Sequence, residues 1–222
     1  MTTVAILSHK EIAHELSILG EWLRARGYEY TRFYREDTWN PDDLLSSDLV
    51  IILGSPRSTA TGFEHKDSNL EIELTQKCIA GDKHFLGICY GAQILGKAVG
   101  GEVLRRESAN VGYKLMDIVG PHFGIEAGAW MLWHEDMVEF ESLPEAVEVI
   151  GTSEGAVVAF RAGRAVGVQF HPEVDGDSLG RMIAGLGISE ERWGPVRDAL
   201  NADEQGHRAR AFSLFDSVLD LT

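Results

Sequence analysis

Short apolar runs alternate with segments of helical periodicity along the first half of the chain. Residues 3–7 are apolar and predict a first strand. Gly27 is a typical stop signal for a helix, and residues 28–34 favour a second strand. Between these strands, apolar side chains recur at spacings of four and three, which predicts a helix over residues 11–26 with this stripe: Ile12, Leu16, Leu19 and Leu23.

The same alternation continues to the middle of the chain. Residues 49–53 are apolar without polar interruption, which is typical of a strand that helices cover on both faces. Ser68 and Glu71 fit a capping box at the start of a helix, and residues 85–88 form the next apolar run. Strand, helix and strand in this order predict parallel pairing with right-handed crossovers, and hence an α/β fold.

The second half of the chain has a different pattern. Residues 102–161 contain short β-like stretches separated by glycine and proline, which predicts a mixed or antiparallel extension of the sheet. Residues 166–170 return to a strand. A loop-rich stretch with a short helix around Met182 follows, and further helices are predicted at about 189–220. Because there is neither an internal repeat nor a long linker, we expect a single domain over residues 1–222.

Composition and charge narrow the range of functions. The 222 residues are 44% hydrophobic and 25% charged, as in a globular protein with a substantial core. There are 35 acidic and 20 basic residues, and the net charge of −15 argues against nucleic acid or an anionic membrane as a partner. The N-terminus lacks a signal-peptide pattern, and no apolar run approaches the ~20 residues that span a bilayer. We therefore expect a soluble, cytoplasmic protein with reduced cysteines, either an enzyme or a binding module.

One apolar run leads directly into a sequence with the features of a nucleophile elbow. Gly87 and Gly91 flank Cys89 at spacings of two, as a crowded turn from strand to helix requires. The start of the following helix favours a thiolate over a thiol, and the backbone N–H of Tyr90 points to where an oxyanion would form. By itself the pattern fits equally well a buried structural cysteine between two glycines that pack helices.

A histidine and a carboxylate follow the last predicted strand. His171 comes directly after residues 166–170, at the end of a strand where ligand sites of open α/β sheets gather. Glu173 lies two residues further on, across a proline, and can turn back to orient the imidazole. Alone, this segment would be read as a surface His-Pro turn. Together with Cys89 it predicts a nucleophile, a base and an orienting acid.

These two segments carry a resemblance to a known family. Gly-Ile-Cys-Tyr-Gly-Ala-Gln, followed about eighty residues later by Gly-Val-Gln-Phe-His-Pro-Glu, resembles the class I (triad) glutamine amidotransferases, most closely the GMP synthase-like glutaminase domain and its free-standing relatives. The likeness covers roughly residues 48–174 and leaves the last forty-odd without a motif. It implies a flavodoxin-like, open and mostly parallel sheet with helices on both faces. It also implies Cys89 as nucleophile, His171 as base and Glu173 as its partner.

The resemblance extends to the oxyanion and substrate-binding positions. Gly54 and Ser55 occupy the loop that supplies a second backbone N–H to the oxyanion, beside that of Tyr90. Ser55 replaces a glycine there, and a positive φ at this position would count against the match. Gln93 corresponds to a glutamine that holds the polar end of the substrate. The segment corresponding to the loop that grips the substrate's α-amino and carboxylate groups contains these three residues: Trp133, Glu135 and Asp136. Glu135 stands where the family has glycine and adds a negative charge.

The activity implied by the resemblance is hydrolysis of the γ-carboxamide of glutamine through a cysteine thioester, which releases glutamate and ammonia. A separate synthetase subunit is a candidate partner, since the chain carries no phosphate-binding loop of its own. Two alternatives stay open: a γ-glutamyl peptide or conjugate hydrolase with the same triad, and a partner-dependent or non-catalytic binding module. We expect neither a cofactor nor a metal. Several histidines without ligand spacing are expected on the solvated surface: His9, His14, His65, His84 and His207.

Overall fold

The computed structural model describes residues 1–11, 14, 16–187 and 189–221. The strands of this part of the chain are β1 (Thr3–Ser8), β2 (Glu29–Tyr34), β3 (Leu49–Ile52), β4 (His84–Ile88), β5 (Glu102–Ile118), β6 (Gly128–Glu139), β7 (Val147–Ser153), β8 (Ala156–Ala162) and β9 (Ala165–Val168). The helices are α1 (Ser17–Arg26), α2 (Pro41–Leu45), α3 (Ser68–Ala80), α4 (Tyr90–Ala98), α5 (Gly176–Gly185), α6 (Glu190–Ala202) and α7 (Glu204–Asp220).

One half of the sheet is parallel and is covered by helices on both faces. Its strands follow the order β2-β1-β3-β4-β9, and each neighbouring pair is parallel. Along β1, Val4 and Ile6 pack into a core cluster with side chains of α1 and α7, whereas Ala5 and Leu7 pack into a second cluster with side chains of α3 and α4. This two-sided burial explains why these strands read as continuous apolar runs, and it confirms the predicted α/β class.

The other half of the sheet is antiparallel. It continues from β9 through β8, β6 and β5 to β7, with a further pairing between β7 and β8. The expected β extension is therefore present in residues 102–161. The sheet as a whole is mixed. The expected parallel sheet is present only in the five strands β2, β1, β3, β4 and β9.

Three helices differ from the sequence prediction at their ends. Helix α1 begins at Ser17 rather than at residue 11, and Ile12 lies outside the described residues. Helix α3 has Asp67 at its N-cap, so the predicted capping box is wrong. Its Glu71 is buried and pairs with Arg35 instead. Helix α5 has ten residues, longer than the predicted short helix, because its first turn is closed by a capping box of Asp175 with Ser178.

The parallel strands direct their carboxyl ends to one edge of the sheet. Residues that directly follow β1, β3, β4 and β9 therefore come close together there, although they are far apart in the sequence. The predicted site residues Gly54, Cys89 and His171 all follow such strands. The topology thus creates one cleft from four segments of the chain.

Two histidines expected on the surface are buried. His9 is 5% exposed and His207 only 1%. On α7, the His207 ring packs between the rings of Tyr113 and Trp130, and its Nε2 lies 3.1 Å from the carbonyl oxygen of Val174. No sequence pattern indicates this burial, because the partners of His207 come from β5, β6 and the turn before α5.

Replacing His207 by glutamine should make the stability of the protein less dependent on acidic pH. Burial is the main reason that the pKa of His207 is lowered from 6.5 to about 4. Because the pKa is lower in the folded than in the unfolded protein, the unfolded state takes up the proton first as the pH falls. The free energy of unfolding is therefore highest above pH 6.5 and decreases by about 3 kcal/mol as the pH falls towards 4. Urea unfolding at neutral and acidic pH measures the difference. His65→Gln is the control at a partly exposed histidine, and equal pH dependence in both variants and the wild type would contradict the prediction.

Candidate active site

Cys89 sits in a turn from strand to helix that only small neighbours allow. It lies between β4 and α4 with φ 52° and ψ −102°, a backbone conformation that is strained for a residue other than glycine. A Cβ on Gly87 would lie 2.3 Å from the carbonyl oxygen of Gly91, and one on Gly91 would lie 2.1 Å from that of Ile52. Both glycines are therefore required for the turn. This local geometry is that of a nucleophile elbow.

Strand pairing brings His171 and Glu173 to Cys89. Ile88 and Val168 are partners in the parallel register of β4 and β9, and the N–H of Cys89 donates to the carbonyl of Val168 at 2.7 Å. The backbone N–H of His171, three residues further on, donates to the carbonyl of Met131 on β6. Glu173 accepts a hydrogen bond from His171 Nδ1 at 2.8 Å, and both side chains are 6% exposed. The hydrogen bond fixes the tautomer and leaves Nε2 for the reaction.

The charge on His171 is set by competing effects. Burial lowers the pKa of the imidazole, but the negative charges of Glu173 and Cys89 raise it, and together they hold the pKa well above the usual value of 6.5. At neutral pH the imidazole is therefore protonated beside the sulfur. A sulfur beside a protonated imidazole is an arrangement that can combine a nucleophile with an acid for a leaving group.

The two segments expected to bind an oxyanion border the same sulfur. Tyr90 is the first residue of α4, directly after Cys89. The backbone of Gly54 follows β3, and a Cβ on it would lie 3.3 Å from His171 Cε1 and 3.7 Å from Cys89 Cβ. Ser55 is not among the residues with positive φ, so serine fits at the position where the family has glycine. The backbones of both segments therefore lie beside Cys89, where the sequence analysis expects the oxyanion donors.

The four residues predicted to bind substrate lie in the same cleft. Gln93 is buried, and its Nε2 donates to the carbonyl of Asp136 at 3.3 Å. The carbonyl of Trp133 lies 3.6 Å from the sulfur of Cys89. Asp136 accepts from Ser58 Oγ at 2.6 Å. The side chain of Glu135 is mostly exposed at the rim of the cleft.

Arg105 is a site residue that the sequence analysis missed. Its guanidinium lies 2.5 Å from Asp136 Oδ1 and 3.2 Å from Glu135 Oε2. It therefore offsets the negative charge that Glu135 adds at this end of the cleft. No local motif could have indicated this role, because β5 brings Arg105 to the carboxylates through pairing with β6 in the register Arg105↔Asp136.

His134 lies between two of the predicted substrate-binding residues, and the sequence alone assigns it no role. It is 3% exposed, and its Nδ1 donates to the carbonyl of Asp136 at 2.8 Å. Burial is the main reason that its pKa is lowered to about 4, so the ring is neutral. With a proton on Nδ1, its Nε2 is an acceptor, and that atom is buried without a hydrogen-bond partner.

The cleft is large and reaches well beyond the triad. Its volume is about 570 Å³. It is lined by Cys89, His171 and the Gly54–Ser55 loop, and also by Met182 and Leu186 at the end of α5. A volume of this size is in the ordinary range for small-molecule sites.

Metal-binding clusters and membrane-spanning helices can be assessed for the residues that the structure describes. Among them, no group of three or more His, Cys, Asp or Glu side chains is arranged to hold a metal ion. Within the same residues, no helix is both long and apolar enough to cross a membrane.

Comparisons with known proteins identify the family of the chain. The family model for glutamine amidotransferase class-I matches residues 16–186. The GMP synthase [glutamine-hydrolyzing] of Porphyromonas gingivalis is 34% identical over 154 residues, which are 65% of this chain and 28% of that protein. The enzyme of the same name from Pyrobaculum aerophilum is 38% identical over 140 residues, 60% of this chain and 26% of that protein. The chain thus spans about a quarter of the length of these curated relatives.

Solved structures show the same fold over nearly the whole chain. A glutamine amidotransferase from Thermotoga maritima superposes with a TM-score of 0.82 at 23% identity and covers 99% of this chain and 98% of its own. A glutamine amido transferase from Methylobacillus flagellatus has a TM-score of 0.81 at 15% identity and covers 100% of this chain and 95% of its own. At these identities the likeness establishes the fold.

Proposed function

The chain belongs to the class I glutamine amidotransferase family, and from this premise we propose that it hydrolyses the γ-carboxamide of L-glutamine through a thioester on Cys89. The observation that carries the proposal is the His171–Glu173 hydrogen bond at the end of β9, the strand paired with the one that leads into Cys89. We further propose that residues 1–222 act as one free-standing domain in the cytoplasm, where thiols stay reduced.

Formation of the thioester uses both strand ends and both oxyanion segments. The Cys89 thiolate attacks the amide carbon, a C–S bond forms, and the carbonyl electrons move to oxygen. The resulting oxyanion accepts hydrogen bonds from the backbone N–H groups of Tyr90 and Ser55, and one such donor is typically worth about 3 kcal/mol. His171 gives its proton to the amide nitrogen, the C–N bond breaks, and ammonia leaves.

Hydrolysis of the thioester reverses the role of His171. The neutral imidazole takes a proton from water, and the hydroxide that forms attacks the thioester carbon. The same backbone donors stabilise the second oxyanion. Its collapse breaks the C–S bond, releases glutamate and restores the thiolate–imidazolium pair of Cys89 and His171. Glu173 keeps the ring oriented through both steps.

Replacing Glu173 by glutamine should shift the alkaline limit of activity to lower pH. Burial lowers the pKa of His171, and the charges of Glu173 and Cys89 raise it above 6.5. In the wild type, kcat/KM should therefore stay high above pH 6.5 and decrease only at the higher pH where His171 loses its proton. Without the Glu173 charge the imidazole loses its proton at lower pH, and kcat should also fall by about 100-fold or more. Profiles of kcat/KM against pH test this, and an unchanged alkaline limit in Glu173→Gln would contradict it.

Replacing Arg105 by glutamine should weaken substrate binding more than turnover. The change leaves Asp136 and Glu135 without their cation, so the carboxylate of the substrate meets a more negative site. We expect KM for L-glutamine to rise about tenfold with kcat nearly unchanged. The matched control is Arg106→Gln, which removes the same charge one residue along, where the guanidinium contacts Ser108 and Met137. Equal rises in KM for the two variants would contradict a role of Arg105 through its contacts with Glu135 and Asp136.

The ammonia released at Cys89 needs an acceptor. The curated relatives are named GMP synthase and are about four times as long as the matched segment. We propose that a separate synthetase subunit receives ammonia from this chain. Activity on glutamine alone should then be weak and should increase when that subunit binds.

A second candidate function is favoured by the size of the cleft. At about 570 Å³ it is larger than one free amino acid fills, and it continues past Cys89 to Met182 and Leu186. A γ-glutamyl peptide or conjugate would place its γ-glutamyl group at Gln93 and Asp136 and its leaving amine towards α5. The same triad and the same chemical steps serve both substrates.

The deciding experiment measures glutamate release from L-glutamine and from γ-glutamyl dipeptides by the purified chain. Glutamate with one equivalent of ammonia from glutamine supports the amidotransferase. Preference for the dipeptides, by kcat/KM, supports the conjugate hydrolase. A folded protein that releases glutamate from neither would overturn both activities for the isolated chain and leave a partner-dependent or non-catalytic binding module.

A further inference from the structure

Ser55 belongs to a hydrogen-bonded chain that lies beside the triad and is separate from it. Ser55 Oγ lies 2.9 Å from Nε2 of His9, and Nδ1 of His9 contacts the carboxylate of Glu36. Ser55 Oγ also accepts from the backbone N–H of Arg57 at 3.0 Å. For a neutral His9 beside an ionised Glu36, one set of protons fits: His9 Nδ1–H donates to Glu36, and the Ser55 hydroxyl donates to His9 Nε2.

The topology of the sheet produces this chain of contacts. His9 follows β1, Glu36 lies two residues after β2, and Ser55 lies three residues after β3. Strand β1 pairs in parallel with both of the other strands, so all three carboxyl ends meet at one edge. The three side chains therefore come from neighbouring strand ends, and the contacts do not depend on one flexible loop.

The surroundings of His9 keep it neutral. His9 is 5% exposed. Burial lowers its pKa most, the positive charges of Arg35 and Arg57 lower it further, and Glu36 only partly opposes them. A neutral ring with its proton on Nδ1 leaves Nε2 as an acceptor for the Ser55 hydroxyl, which a protonated ring could not be.

We propose that His9 is a positioning residue of the reaction and that it acts through Ser55 to fix the loop carrying the second oxyanion donor. The inference rests on the proposed function. A glycine at position 55 would have no side chain for His9 to hold, so the His9–Glu36 pair accompanies the serine found here. The order Ser, His, acid is that of a serine hydrolase, but the elbow presents Cys89, and Ser55 lies in a loop next to Pro56.

A double-mutant cycle tests whether His9 acts through Ser55. His9→Ala should lower kcat for L-glutamine about tenfold with little change in KM, because a small displacement of the donor affects the transition state more than the bound substrate. Ser55→Gly should give a similar loss. The double variant His9→Ala/Ser55→Gly should be no slower than Ser55→Gly alone. His9→Gln should recover part of kcat, since its amide oxygen can accept from the Ser55 hydroxyl.

The matched control is Lys10→Ala, the next residue, whose side chain reaches Asp37 on the surface. It should leave kcat unchanged. The proposal would be overturned if the double variant lost kcat by the product of the two single losses, because His9 would then act independently of Ser55. A rise in KM without a fall in kcat would also overturn it, because His9 would then act on substrate binding.

A readout without turnover separates the inference from the proposed function. Hydrogen exchange of the segment 54–57 should be about tenfold faster in His9→Ala than in the wild type or Lys10→Ala, because the loop has lost its side-chain anchor. If the wild type hydrolyses neither glutamine nor γ-glutamyl dipeptides, the proposed function fails while the exchange result still stands. Unchanged exchange in His9→Ala would overturn the positioning role.

Discussion

Replacing Cys89 by alanine should reduce glutamine hydrolysis by about 10⁴-fold or more, because no other group in the cleft can form the thioester. The fold should survive the change. Alanine keeps the Cβ, which the backbone already accommodates at a φ of 52°, and removes only the sulfur. Released glutamate and ammonia give the rate, and circular dichroism checks the fold.

Cys78 provides a matched control for this experiment. It lies on α3 in the core, and burial raises the pKa of its thiol to about 12, so it is inert towards alkylating reagents at neutral pH. Cys78→Ala should keep its turnover and its reaction with iodoacetamide, whereas Cys89→Ala should lose both. Turnover that persists in Cys89→Ala would rule out the thioester.

Replacing Arg35 by methionine should destabilise the protein by about 4 kcal/mol, the largest loss of stability that we expect from one substitution. Arg35 and Glu71 form a bidentate ion pair, and each side chain is 1% exposed. Two further guanidinium N–H groups donate to the carbonyls of Leu53 and Gly54, and the guanidinium lies over the ring of Tyr90. Methionine leaves the Glu71 carboxylate buried without a partner.

Arg35 also supports the site, because it contacts both oxyanion segments. Arg35→Met should therefore lower kcat as well as the free energy of unfolding, which urea titration measures. The double variant Arg35→Met/Glu71→Leu should recover most of the stability, since no charge is then left unpaired. Arg161→Met, at a surface pair with the partly exposed Glu148, should cost less than about 1 kcal/mol. A double variant as unstable as the single one would show that lost contacts, and not the unpaired charge, cause the effect.

Short-range steric rules explain why the catalytic segments could be read from the sequence. The spacing of Gly87, Cys89 and Gly91 is dictated by atoms within five residues, apart from the carbonyl of Ile52 on the neighbouring strand. The orientation of His171 by Glu173 is also local, across a single proline. The apolar runs at residues 49–53 and 85–88 agree with strands β3 and β4 for a similar reason, since they reflect burial on both faces of the sheet.

Contacts between distant strands were beyond the reach of the sequence. The capping box predicted at Ser68 is wrong because Glu71 is taken by Arg35, a partner 36 residues away. His9 was expected on the surface, but the pairing of β1 with its two neighbours buries it between Glu36 and Ser55. Arg105 meets Asp136 only through the register of β5 and β6.

The sequence by itself determined the fold class, the family and the three residues proposed for the triad. These depend on local turns and on apolar runs, which can be recognised in short segments of the chain. Tertiary structure alone decided which side chains support them. These contacts join segments that are distant in the sequence. The partners are 30 or more residues apart in the pairs Arg105–Glu135, His9–Ser55 and Arg35–Glu71, and 27 residues apart in the pair His9–Glu36. Their energies depend on burial and on distances of a few ångströms, which exist only once the sheet has formed.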